Sequence, residues 1–155
     1  MSAQAPRQGE GFLDDYLLFL LAAASTAASA EFHAQARAAG LKVPEWRVLA
    51  CLWDTDGQMV TQLAQLTLME QSRLTRVVER LVERGLVERH GDDDDRRRVR
   101  VHLTDAGAAL AGPLVRLAKS HEAWLLGELG TRDAAALKRA LRKLNRVVKA
   151  PVPQD

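Results

Sequence analysis

The chain has 155 residues, 47% of them hydrophobic and 27% charged, with a formal net charge of +2. That balance suits one soluble globular domain with a sizeable core and excludes a disordered or fibrous chain. A charge so near neutral does not exclude nucleic acid, because DNA binders are marked by where their positive charge lies. The single cysteine, Cys51, has no partner for an intrachain disulfide, as expected in a reducing cytoplasm. It lies in an apolar run from Trp46 to Trp53 and reads as a small buried hydrophobe, with a redox sensor as the alternative.

Residues 1–10 are polar with Pro and Gly, which predicts a disordered N-terminus. From Tyr16 to Ala30 there is no charge, and Ala28-Ser29-Ala30 looks like a signal-peptide cleavage site. A signal needs a positive leader, yet Arg7 is outnumbered by Glu10, Asp14 and Asp15. The run is also short for a membrane span and rich in alanine, serine and threonine. It reads as part of one helix, about Phe12 to Ala39, buried between packed partners in a cytoplasmic protein and stopped by Gly40.

Pro44 opens a second helix reaching about Asp54. Asp56-Gly57 marks a turn, and Thr61 is expected to cap a short helix from Gln62 to Leu68. A further helix, about Gln71 to Arg84, keeps Leu74, Val77, Val78, Leu81 and Val82 in helical period and ends at Gly85. The period then changes to two. Leu86 to His90 is one strand, and Val99, Val101 and Leu103 alternate with Arg100 and His102 on a second. Thr104-Asp105 caps a long helix to about Leu129, where Gly130 ends it. The last helix, about Arg132 to Lys149, carries a coiled-coil-like stripe of Leu137, Leu141, Leu144 and Val148 beside a basic flank.

This order predicts a mainly α chain with a small two-stranded β wing. The expected organisation is a winged helix-turn-helix over 41–104, flanked by helical dimerisation regions at 11–40 and 105–149. In the helix from Gln71, residues Arg73, Arg76, Arg80 and Arg84 are spaced three, four and four and so share one face opposite the apolar one. Gln71, Ser72 and Thr75 add neutral hydrogen-bonding groups near the end that enters a major groove. Arginine grips guanine bidentately and glutamine does the same for adenine. Arg96, Arg97, Arg98 and Arg100 crowd the returning strand, and arginine at a hairpin tip suits the negative potential of a narrow minor groove. Four aspartates, Asp92 to Asp95, precede them; one is placed to hold an arginine extended, and the others weaken non-specific binding.

Asp95-Arg96-Arg97 followed by Leu103-Thr104, after Leu81-Val82-Glu83-Arg84-Gly85, resembles the wing signature of the MarR family of winged helix-turn-helix regulators. The likeness runs from about Leu41 to Gly107. It implies a homodimer on a pseudo-palindromic double-stranded DNA site, with Arg97 in the minor groove and Asp95 positioning it. It also implies that Gln71, Ser72, Arg73, Thr75, Arg76 and Arg80 face base and phosphate. Members of the family take small aromatic acids or phenols, which places Phe32, His33, Trp46, Ala50, Met69 and Arg73 as the effector-binding set. The run Pro44 to Ala50 is similar to that of members controlling nicotinate-type catabolism, which points to a pyridine carboxylate.

No nucleophile sits in a strand–turn–helix context and no glycine-rich nucleotide loop is present, so no enzyme is expected. The four histidines, His33, His90, His102 and His121, are scattered, so no metal or other cofactor is expected. The alternatives are a winged helix that binds only protein, whose arginine face would be dispensable, and a redox regulator acting through Cys51.

Overall fold

The computed structural model describes residues 11–91 and 99–149. In chain order the elements are α1 (Phe12–Asp15), α2 (Leu17–Ala38), α3 (Val43–Asp54), β1 (Gln58–Met59) and α4 (Val60–Thr67). There follow α5 (Gln71–Glu83), β2 (Val87–Gly91), β3 (Val99–Leu103), α6 (Asp105–Leu129) and α7 (Thr131–Lys149). The chain divides into two compact units between Val115 and Arg116, a point within α6.

The core of the first unit lies among α3, α4, α5 and the sheet. Leu49, Leu52, Leu63, Leu74, Val77, Val78, Leu81, Val87 and Val101 are all at most 2% exposed. Helical spacing on α5 brings Leu74, Val77, Val78 and Leu81 onto one side, and burying each such side chain stabilises the fold by roughly 1.5–3 kcal/mol. Where α2 reaches α3, Phe32 and Ala36 are its buried residues.

Three local expectations are corrected. The first helix is not continuous: Tyr16 adopts an extended backbone, and its ring stacks on Phe12 at 4.7 Å, closing a single turn before α2 begins. The second concerns α4, which starts two residues earlier than expected. Met59 is its N-cap, and its N–H donates to Gln62 Oε1 at 3.2 Å, so glutamine at the third helical position does the work expected of Thr61. The third is the wing, which is three-stranded, in the order β1–β3–β2, because Gln58 and Met59 pair antiparallel with Val101 and Arg100. Two residues are too few to show a period, which is why β1 left no trace in the sequence.

The corner between β3 and α6 is tight. Thr104 Oγ1 donates to Gly85 O at 2.7 Å and accepts from Gly107 N–H at 3.0 Å, so the expected cap forms. Leu86 O accepts the Thr104 N–H at 3.2 Å and lies against Gly107, where any Cβ would overlap it. Between α4 and α5 the turn is made by Leu68 in the left-handed region, φ 57° and ψ 41°, with its side chain 78% exposed. That is a conformation L-residues avoid and glycine adopts freely.

The reading of α2 as a buried helix is not met within one chain. Among the described residues it is the one helix apolar and long enough, at 22 residues, to cross a membrane by length and composition. Only 6% of its most apolar window is buried, and Leu17, Leu18, Phe19 and Leu20 are exposed. In the second unit, Lys138 Nζ meets Glu122 Oε1 at 2.7 Å between α7 and α6, while Leu137, Leu141 and Val148 of the predicted stripe stay exposed.

Denaturant unfolding should separate these two backbone positions. Gly107→Ala is expected to lower stability by about 2–3 kcal/mol, since the Leu86 carbonyl is backbone and cannot rotate aside. Leu68→Gly is expected to raise it by about 0.5–1 kcal/mol through relief of the left-handed turn.

Candidate nucleic-acid interface

Because α5 buries its apolar side, the opposite side is open. Gln71, Ser72, Arg73, Arg76 and Arg80 are exposed, and Thr75 is half-buried. Thr75 Oγ1 donates to Gln71 O at 2.9 Å, which spends its proton on the backbone and leaves the oxygen as an acceptor. Asp95 and Arg97, with Arg96 and Arg98, lie outside the described residues. On β3 the described arginine is Arg100, whose Nη1 donates to Gly57 O at 2.9 Å and ties the sheet to the turn after α3.

The arginine row is not uniform. Arg84 Nη1 lies 3.2 Å from Glu45 Oε2, and Arg80 Nε lies 3.8 Å from Glu45 Oε1. Glu45, on the first turn of α3, is 3% exposed and also accepts the Lys42 N–H at 2.8 Å. The C-terminal half of the row is therefore anchored to a buried carboxylate, while Arg73 and Arg76 stand outward. Sequence reasoning missed Glu45. Its position three residues after Lys42 signals a helix-start acid, but nothing local announces partners on α5.

Alongside α5 lies a cleft of about 260 Å³, lined in part by Met59, Thr61, Gln71, Thr75, Arg89 and Val99. It joins the start of α4, the recognition helix and the inner face of the sheet, so two of the predicted DNA-facing residues form its wall. On the outer face, His90 and His102, distant in sequence, meet edge-to-face at 5.1 Å. His90 Nε2 pairs with Glu88 Oε1 at 3.0 Å, and His102 Nδ1 pairs with Asp56 Oδ2 at 2.9 Å. Among the described residues no group of three or more His, Cys, Asp or Glu is placed to hold a metal ion.

Of the predicted effector set, the structure brings three together. Phe32 and Trp46 pack at 5.0 Å with planes tilted by 59°, each at most 9% exposed, and His33 adjoins Phe32 at 6.2 Å. Burial lowers the pKa of His33, and the nearby Arg47 and Arg37 lower it further, so its imidazole is neutral at physiological pH. Ala50 lies one helical turn beyond Trp46 and is half-buried, Met69 is buried at the turn before α5, and Arg73 is exposed. Cys51 is half-buried. Burial, aided by Asp54, pushes its thiol up, which lowers the thiolate population that a redox sensor requires.

A short helix and a connected recognition helix over a three-stranded antiparallel sheet, with arginines on the outward face, define a winged helix-turn-helix protein. The chain belongs to the MarR family, whose description matches residues 41–99, and it is a transcriptional regulator of that family. It is 32% identical over 116 residues to the HTH-type transcriptional repressor NicR of Pseudomonas putida, covering 75% of this chain and 73% of NicR. Against the regulator TtmR of Methylorubrum extorquens, identity is 30% over 112 residues, 72% of this chain and little more than half of the relative, 57%. Among solved structures, the MarR family regulator SPO1453 of Silicibacter pomeroyi superposes with a TM-score of 0.82. The two are 55% identical, over 90% of this chain and 99% of that one. BpsR of Bordetella bronchiseptica, whose structure concerns regulation of its DNA binding by 6-hydroxynicotinic acid, gives a TM-score of 0.75 at 28% identity. That match covers 84% of this chain and 99% of BpsR.

The Asp56 carboxyl sits at the base of this sheet, and its pKa carries a stability consequence. Burial raises it, but the Leu103 N–H, His102 and the Gly57 N–H together outweigh that, and the net value falls below the ordinary carboxylate range. A depressed folded value contributes stability above the unfolded value of about 3.9, and that contribution is lost as pH falls through the folded one. Thermal melting from pH 5 down to pH 2.5 should show Asp56→Asn less stable than wild type at pH 5, with the gap closing in acid.

Proposed function

We propose that this chain is a homodimeric, cytoplasmic repressor that binds a pseudo-palindromic operator and releases it on taking up a small aromatic acid or phenol. The observation that carries this reading is the outward row of arginines on α5, fixed in direction by the buried Leu74, Val77, Val78 and Leu81 opposite it. Residues 41–104 form the DNA-binding lobe. Gln71, Ser72, Arg73, Thr75, Arg76 and Arg80 meet base edges and phosphate, and Arg97, positioned by Asp95, enters the minor groove. No catalysis and no cofactor are part of this function.

Residues 11–40 and 105–149 supply the dimer contact. The exposed apolar side chains of α1 and α2, and those of α6 and α7, need a cover, and a second copy of the chain supplies it. Two lobes related by a two-fold axis place their recognition helices about 34 Å apart, one turn of duplex. The effector site is assigned to Phe32, His33, Trp46, Ala50, Met69 and Arg73. Aromatic walls stack a flat ring, while His33 and Arg73 meet a carboxylate through charge-assisted hydrogen bonds. The named repressor activity of NicR and the 6-hydroxynicotinic acid control of BpsR support a pyridine carboxylate as the first ligand to try.

Selection of bound sequences from random duplex DNA tests the regulator reading. Wild type should enrich a palindrome with half-sites one helical turn apart, and Arg97→Ala should lose that enrichment. Arg73→Ala should relax preference at one base pair in each half-site, costing about 1–3 kcal/mol there. Equal weakening on all sequences would assign Arg73 to phosphate instead.

With the selected operator in hand, 6-hydroxynicotinic acid should dissociate the complex, and more readily at pH 6 than at pH 8. A carboxylate bound beside His33 opposes the effect of Arg37 and Arg47 and raises its lowered pKa, so binding takes up a proton and strengthens as pH falls. Titrations with His33→Gln should lose that pH dependence.

A further inference from the structure

Among the described residues Glu45 is the buried carboxylate, and two arginines of the α5 row converge on it. It belongs to the first turn of α3, where the Lys42 N–H donates to Oε2 at 2.8 Å. Arg84 Nη1 reaches the same oxygen at 3.2 Å, and Arg80 Nε stands 3.8 Å from Oε1. The Glu45 side chain is 4% exposed, whereas those of Arg80 and Arg84 are 45% and 38% exposed. Each arginine thus has one edge toward the carboxylate and remains partly open to solvent.

We infer that Glu45 is a positioning residue for DNA recognition: it holds the Nε edge of Arg80 so that the remaining guanidinium donors continue the row begun by Arg73 and Arg76. This rests on the reading in which that row faces DNA. A free arginine side chain samples many rotamers, and ordering it only when DNA arrives weakens binding. Glu45 does the ordering beforehand, from inside the fold. Arg84 completes the clamp from the other side and offsets the burial of the acid. A buried carboxylate placed for stability alone would be an expensive choice, because a well-packed apolar residue serves as well or better. The guanidinium fork also makes the arrangement directional, since one edge can be held while the other stays available.

The test uses the full chain and the operator recovered from random duplex DNA, titrated by fluorescence anisotropy over a range of salt. Glu45→Gln keeps the shape and a carbonyl acceptor for the Lys42 N–H while removing the charge. Operator affinity is expected to fall about tenfold, and the salt slope to shrink by about one phosphate contact. In an Arg80→Ala background the same change should cost nothing more, because both act through one contact. Arg80→Lys, which keeps the charge without the planar edge, should lose as much as Arg80→Ala.

Losses from Glu45→Gln and Arg80→Ala that multiply would overturn the inference. So would a lowered melting temperature with operator affinity and salt slope unchanged, which is what a merely structural acid gives. If Glu45→Gln does not fold, Arg80→Lys decides alone, and wild-type affinity in it overturns the inference. Failure of wild type to enrich any duplex overturns the regulator reading itself, whereas wild-type enrichment with an indifferent Glu45→Gln overturns only this step.

Discussion

Burial of the apolar side of α5 is the constraint on which the rest of the structure depends. Leu74, Val77, Val78 and Leu81 are each at most 1% exposed, packed among α3, α4 and the sheet. A helix so held cannot rotate about its axis without pulling several of these side chains into water, at a cost that rivals the stability of a whole domain. Its other face is thereby fixed outward. The arginines there have a defined direction because of the leucines and valines buried on the opposite side.

A second constraint acts on the same helix through charge. Glu45 joins α3 to the C-terminal half of α5, and the residue after it, Trp46, packs on Phe32 of α2. Arg47 then reaches toward Thr67 O at the end of α4, at 3.5 Å. Three consecutive residues therefore face three different helices. A change in how α2 packs on Trp46 is felt within one residue of the anchor for Arg80 and Arg84. A displacement of that packing therefore has a short physical route from α2 to α5, through one packed element and not by any long chain of contacts.

The sheet plays the corresponding part for the wing. Val101 is fully buried between β1 and β2, while Arg100 and His102, its neighbours on β3, point the other way and are tied to Gly57 O and Asp56. The turn after α3 is thus stitched to the central strand by side chains of opposite character. Gly107 and Thr104 close the far end, against Leu86 O and Gly85 O. A hairpin pinned in this way keeps its own register.

What the sequence determined by itself was whatever depends on neighbours along the chain. The 3.6-residue period of Leu74, Val77, Val78 and Leu81, the glycine stop at Gly40 and the Thr104 cap all act within a turn or two. So does the alternation on β3, and these sufficed for the winged helix and its arginine face. What only the tertiary structure decided was whatever joins distant segments: β1 pairing with β3, His90 meeting His102, and the attachment of Arg80 and Arg84 to Glu45. Arginines spaced three and four apart look equivalent on a helical projection. They differ because a carboxylate some 35 to 39 residues earlier (39 for Arg84) is folded against two of them and not the others. Long-range pairing of that kind costs chain entropy that local pattern does not record, and it is set by the packing of the whole core.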